Sequence, residues 1–130
     1  MFYNKWDLWW AYVPLEENKN ELLHRPVLVM KDTNDSSNKE IYILSYKVTS
    51  HVPRNGYLGE LEILDYKDAG LPMKSTLRLS KKLLLPSKLF DEKIGRLSEK
   101  DQIRVENELI NMNNNKYSAI KQQEEEPPCL

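Results

Sequence analysis

Three short groups of residues carry side chains suited to handling a phosphodiester. His24-Arg25 stands just before an apolar run, Thr49-Ser50-His51 just after another, and Arg78 and Ser80 in and just past a third. A guanidinium grips phosphate oxygens in a bidentate way and keeps its charge at every relevant pH. Cleavage of RNA without a metal needs a group to take the 2′-hydroxyl proton, a donor for the leaving oxygen and a cation on the phosphorane. These residue types supply all three. Each also has a plainer reading. An arginine before a strand is commonly a surface ion-pair partner, Thr49 and Ser50 can serve turn amides, and His24 and His51 can be ordinary surface histidines. Spacing alone does not choose between the readings.

Other chemistries find little to work with. One cysteine and two histidines do not make a structural zinc site. The four glycines are scattered and form no phosphate-cradling loop, and no Gly-x-Ser-x-Gly elbow occurs. Glu16 and Glu17 sit in a polar stretch and read as solvated surface rather than as a catalytic carboxylate pair.

Residues that act together must be gathered by the elements that carry them. Trp9–Val13, closed by Pro14, is a β-prone run, followed by a polar loop over Leu15–Leu23. Pro26–Met30 and Ile41–Val48 read as the next strands, separated by the Asn34-Asp35-Ser36-Ser37-Asn38 turn cluster. His51–Gly59, with Pro53, Asn55, Gly56 and Gly59, reads as an exposed loop. Glu60–Leu64 alternates as a half-buried strand does, and Tyr66–Gly70 fits one helical turn stopped by glycine. Ser75–Leu79 and Lys82–Leu85 are two further strand candidates; Lys88–Ile94 suits a strand or a helical turn. Ser98 and Asp101 start the clearest helix in a near capping box, along which Ile103, Ile110 and the pair Glu106/Leu109 recur at roughly helical spacing. Asn111–Asn115 is poor helix material, and residues 113–130 read as a disordered polar tail.

Five or six closely spaced strands and one terminal helix indicate a compact barrel or β-roll. A chain of 130 residues holds one such core, here residues 1–112. A formal charge of −1 supplies no global pull on nucleic acid, so any polyanion site must be a local patch. The lone Cys129 forms no internal disulfide and suits a reducing, cytosolic setting. No apolar run approaches the ~20 residues of a membrane helix.

Five segments, in order over roughly Trp6 to Ile110, resemble the PemK/MazF toxin family. Asp7-Leu8-Trp9-Trp10-Ala11-Tyr12-Val13-Pro14 is similar to its opening strand, with Trp6 standing where the family has a glycine. His24-Arg25-Pro26-Val27-Leu28-Val29 is similar to its Arg-Pro signature and Val48-Thr49-Ser50 to its Thr-Ser/Thr segment. Ser75–Leu79 with Lys82–Leu84 resembles its later strand pair, and Ile94–Ser98 the lead into its helix.

The resemblance implies an SH3-like barrel of the CcdB/PemK/MazF type and a homodimer. It implies metal-independent, cofactor-free, sequence-selective cleavage of single-stranded mRNA by the toxin of a type II toxin-antitoxin system, with a cognate antitoxin covering the RNA groove and operator DNA bound in the complex. By position, Arg25 would stabilise charge on the scissile phosphate and Thr49 would orient the phosphate or the 2′-hydroxyl. Arg78 would be a second cation or the proton donor, and His24, Ser50 and His51 accessory. Some relatives carry an acid where Ser80 stands here, so the general base falls to Glu21 or His51. The alternative is a barrel of the same fold that has lost cleavage and binds an antitoxin-like peptide, RNA or operator DNA.

Overall fold

The computed structural model describes residues 3–33, 41–54 and 57–125, with side chains through Asn115. The tail residues 126–130, Cys129 among them, and the whole Asn34–Asn38 turn region lie outside these. Six antiparallel strands form one sheet in the order β4-β5-β3-β2-β1-β6, followed by a single long helix. The strands are β1 (Asp7–Pro14), β2 (Leu22–Thr33), β3 (Tyr42–Thr49), β4 (Glu60–Glu62), β5 (Thr76–Pro86) and β6 (Phe90–Arg96). The fold is the expected one: mainly β, with an SH3-like small barrel and a C-terminal helix.

Most of β1 and the centre of β2, Val27–Val29, are apolar because both of their faces are covered. Leu8 and Leu28 enter one core with Tyr46, Val48, Leu77, Leu79 and the helix residue Val105. Trp9, Ala11, Val13, Val27 and Val29 enter a second on the opposite face, with Ile43, Leu85 and Phe90. Strand neighbours point to opposite faces, so burial of both leaves no polar positions to alternate.

Two stretches read as separate strands, Ser75–Leu79 and Lys82–Leu85, are one strand, β5. Its pairing with β3 jumps from Tyr46↔Lys82 to Lys47↔Arg78, so Leu79, Ser80 and Lys81 bulge out of the ladder. A bulge bends the strand and lets it serve two parts of a curved sheet. The Lys88–Ile94 stretch resolves both ways, as a 3-10 turn (Ser87–Leu89) that runs into β6.

The barrel is closed by the connection after β4. Residues 66–71 make one helical turn ended by Gly70 at φ +90°, with the Leu71 amide donating to Tyr66 O (2.9 Å) and the Gly70 amide to Lys67 O (3.0 Å). This is the pair of hydrogen bonds that a left-handed glycine completes at a helix end. The turn lies against β6 so closely that a Cβ on Gly95 would stand 2.1 Å from the Ala69 carbonyl oxygen. Both partners are backbone and cannot yield cheaply. Gly95→Ala is therefore expected to cost about 3 kcal/mol, the upper part of the usual overpacking range, read as a lowered denaturation midpoint. An unchanged midpoint would show that the closure is loose.

Trp6, at the position of the resembled family's glycine, adopts φ +79°. A left-handed bulky residue is strained, yet this one is held on both sides. Its amide donates to Val29 O (2.9 Å), its carbonyl accepts from the Leu97 amide (3.0 Å), and its indole is buried in the first core. Burial of so large a ring offsets the strain.

The helix, α1 (Glu99–Glu125), begins as its capping residues require: Ser98 Oγ accepts from the Asp101 amide at 3.2 Å. Ile103 and Ile110 do not mark its buried face; both are more than half exposed. Asp101, Val105, Leu109 and Met112 face the sheet instead. Helical backbone also continues through the Asn111–Asn115 run to Glu125, beyond where the composition suggests an end. Extending a formed helix adds a hydrogen bond per residue fixed, so a low-propensity stretch can be carried through. No helix among the described residues is long and apolar enough to cross a membrane.

Candidate active site

Register brings the sequence's scattered cations onto one face of the sheet. Val27 pairs with Lys47, and continuing that antiparallel register by two residues sets Arg25 opposite Thr49. Across the other side of β3, Lys47 pairs with Arg78 and Thr49 with Thr76. Directly paired residues share a face, so Arg25, Lys47, Thr49 and Arg78 are neighbours although 53 positions separate the first from the last in a sequence of 130. They line a cleft of about 220 Å³ with His51, Val13, Pro14 and Leu23. Around the strand ends, Arg25, Thr49 and His51 also line a second hollow of about 280 Å³ with Trp10, Pro26, Ser50, Pro72 and Met73.

The cleft is electropositive because its three cations have no acid among the residues lining it. Arg25 is exposed, and its only hydrogen bond with described residues runs from Nη1 to the neighbouring His24 carbonyl (3.1 Å). Arg78 Nε is buried without a partner among the described residues. An unpaired buried donor is costly, and an anion entering the cleft would relieve that cost. Thr49 Oγ1 accepts a long bond from the His51 amide (3.4 Å), the turn-stabilising role open to such a residue, while the His51 carbonyl accepts from Thr76 Oγ1 (2.5 Å). These contacts fix the backbone of the loop that carries His51 into the cleft.

Not every candidate converges. His24 points away from Arg25, as its neighbour on a strand must, and lines neither hollow. Its ring stacks on Trp10 (centroids 5.0 Å, 12°), which borders the second hollow, and Nε2 meets Asp91 Oδ2 at 3.0 Å. Glu21 closes the β1–β2 hairpin, its carbonyl accepting from the Leu15 amide (3.0 Å). It lies four residues from Arg25 along the chain, ~13 Å of extended strand, and lines neither hollow. Ser80 rides the β5 bulge and faces Tyr46, Leu58 and Met112 on the helix side.

Two residues come near that the sequence reading did not choose: Lys47, which it did not single out, and Glu16, which it read as solvated surface. Lys47 lines the cleft from the middle of β3, where it reads as an ordinary strand lysine. Glu16 lines the adjoining groove of about 400 Å³ together with Lys19, Lys47, Lys81 and Lys82. The hydrogen bond from Lys81 (3.1 Å), helped by the charges of Lys81, Lys47 and Arg78, holds its carboxyl below the usual carboxylate range. The only sequence signal was an acid in the β1–β2 loop. Among the described residues no three His, Cys, Asp or Glu side chains gather to hold a metal ion.

The chain is thus a small antiparallel barrel with a cationic, hydroxyl-bearing cleft at its strand ends. Residues 4–112 match the family described as PemK-like, MazF-like toxin of type II toxin-antitoxin system, and the chain belongs to that family. Its members are generally endoribonucleases. No curated protein sequence matches the chain closely enough to count as a relative.

Proposed function

We propose that the protein is a toxin that cleaves single-stranded mRNA at the Arg25–Thr49–Arg78 cleft without a metal ion, acts as a cytosolic homodimer, and is silenced by a cognate antitoxin. The observation that carries this reading is the convergence of Arg25, Lys47 and Arg78 from three strands, free of acidic lining, beside Thr49 and His51. In the reaction the 2′-oxygen attacks phosphorus as its proton passes to a base. The P–O5′ bond then breaks and the leaving oxygen takes a proton, giving a 2′,3′-cyclic phosphate and a 5′-hydroxyl. Arg25 and Arg78 hold the non-bridging oxygens as negative charge builds. Thr49 Oγ1 orients the phosphate. His51 is the proton carrier favoured over Glu21, because it lines both hollows and imidazole both takes and gives protons near neutral pH.

The second reading, a barrel that binds RNA, an antitoxin-like peptide or operator DNA without cutting, draws on Ser80 and Glu16. Ser80 is no base and faces away from the cleft, while Glu16 is paired with Lys81. Incubation with a long single-stranded RNA in EDTA separates the two. Cuts at a few defined sites, ending in cyclic phosphate and blocked by a 2′-deoxy nucleotide at the cut, are expected. Intact RNA from folded protein would leave the binding reading in its stead.

A further inference from the structure

Glu60, the first residue of β4, is paired in register with Arg78. Opposite neighbours in an antiparallel ladder have Cβ atoms about 5 Å apart, so a glutamate facing an arginine is expected to pair with it. Here it does not. The carboxylate is taken by Arg54, with Nη2–Oε2 at 2.8 Å, Nε–Oε2 at 2.9 Å and the Arg54 amide donating to Oε1 at 3.2 Å. Arg54 is braced in turn over the Tyr57 ring, 3.7 Å from its centroid. The Glu60 side chain is covered by this contact, and the Arg54 hydrogen bond holds its carboxyl below the usual carboxylate range. Meanwhile Arg78 lines the cleft with its Nε unpaired.

We infer that Arg54 is a positioning residue for Arg78: by holding the Glu60 carboxylate, it leaves the Arg78 guanidinium free to take a phosphate of the RNA. This rests on the RNA-cleaving reading above. Without Arg54 the carboxylate loses both its cation and the side chain that covers it, and Arg78, whose charge already acts on it, stands directly opposite. The cleft would then lose one of its two guanidiniums without any change to a residue that touches RNA.

The test compares Arg54→Gln, Glu60→Gln and the double variant, with a mixed-sequence 2′-O-methyl oligoribonucleotide as an uncleavable probe. Arg54→Gln is expected to weaken binding on the order of tenfold and to flatten the slope of log K against log salt by about 0.7, the share of one phosphate contact on a single strand. Glu60→Gln alone is expected to stay within about twofold of the parent. In the double variant, both affinity and salt slope return. A double variant as weak as Arg54→Gln would overturn the inference, since Arg54 would then contact RNA itself or simply support its loop. A readout independent of RNA is the Arg78 Nε–H resonance, which should shift in Arg54→Gln and return in the double variant. A resonance that stays put would sink the inference even if the protein cleaves RNA. Failure of the parent protein to bind or cut RNA, with the resonance moving as expected, would instead count against the RNA reading.

Discussion

Arg25→Ala is expected to lower RNA cleavage by on the order of 10²–10³-fold, the effect typical of removing one preorganised contact to transition-state charge. The fold should hardly notice. Arg25 is exposed and its side chain makes a single hydrogen bond with described residues, to the carbonyl of its own neighbour, and exposed substitutions of that kind usually move stability by less than about 0.5 kcal/mol. The pairing of lost activity with an unchanged melting curve is what separates a cleft residue from a structural one. Arg25→Lys sharpens the test, because it keeps the charge but loses the two-pronged geometry of the guanidinium. It should fall between the parent and the alanine variant. Cleavage by Arg25→Ala within a few-fold of the parent would move the reaction to some other part of the surface.

The largest effect on stability is expected at Asp101, which lies in no cleft. This helix-opening carboxylate is 1% exposed and serves three donors at once. It accepts from the Leu64 amide (3.2 Å), the Asp65 amide (2.9 Å) and Arg104 Nη1 (2.8 Å), while the Ser98 hydroxyl beside it donates to Asp65 Oδ2 (2.7 Å). Arg104 Nη1 also donates to the Glu62 carbonyl at 2.6 Å, so one carboxylate ties β4 and the segment after it to the first turn of α1. Asp101→Ala would leave two amides without an acceptor and the partly buried Arg104 guanidinium without its counter-charge. Breaking one partner of a buried charge pair costs about 3–5 kcal/mol, read here as a shift of the urea midpoint. Asp101→Asn, which keeps one acceptor oxygen, should cost less. A midpoint unmoved by Asp101→Ala would mean that the helix is held by Val105 and Leu109 alone.

These two residues differ in how visible they are in the sequence. Asp101 is legible as a capping residue, since Ser98 three positions earlier is local chemistry; its grip on Leu64 and Asp65 is not, because those donors arrive from 36 and 37 positions away. Arg25 is legible as a cation before an apolar strand, and the family resemblance singles it out. That Lys47 belongs beside it, and that Ser80, Glu21 and His24 do not, depends on register and face. A three-residue bulge in β5 carries Ser80 to the helix side, and strand alternation turns His24 away from Arg25.

Sequence by itself determined the strand-rich class, the turn at Gly70, the helix start at Ser98 and the identity of the cations. Each of these follows from turn chemistry, capping or side-chain type acting within a few residues. Only the tertiary structure decided which helix face is buried, that β5 is one strand, and that Glu60 answers to Arg54 rather than to Arg78. Those outcomes rest on antiparallel register and on bulges that shift it, and register is set by contacts between residues far apart along the chain.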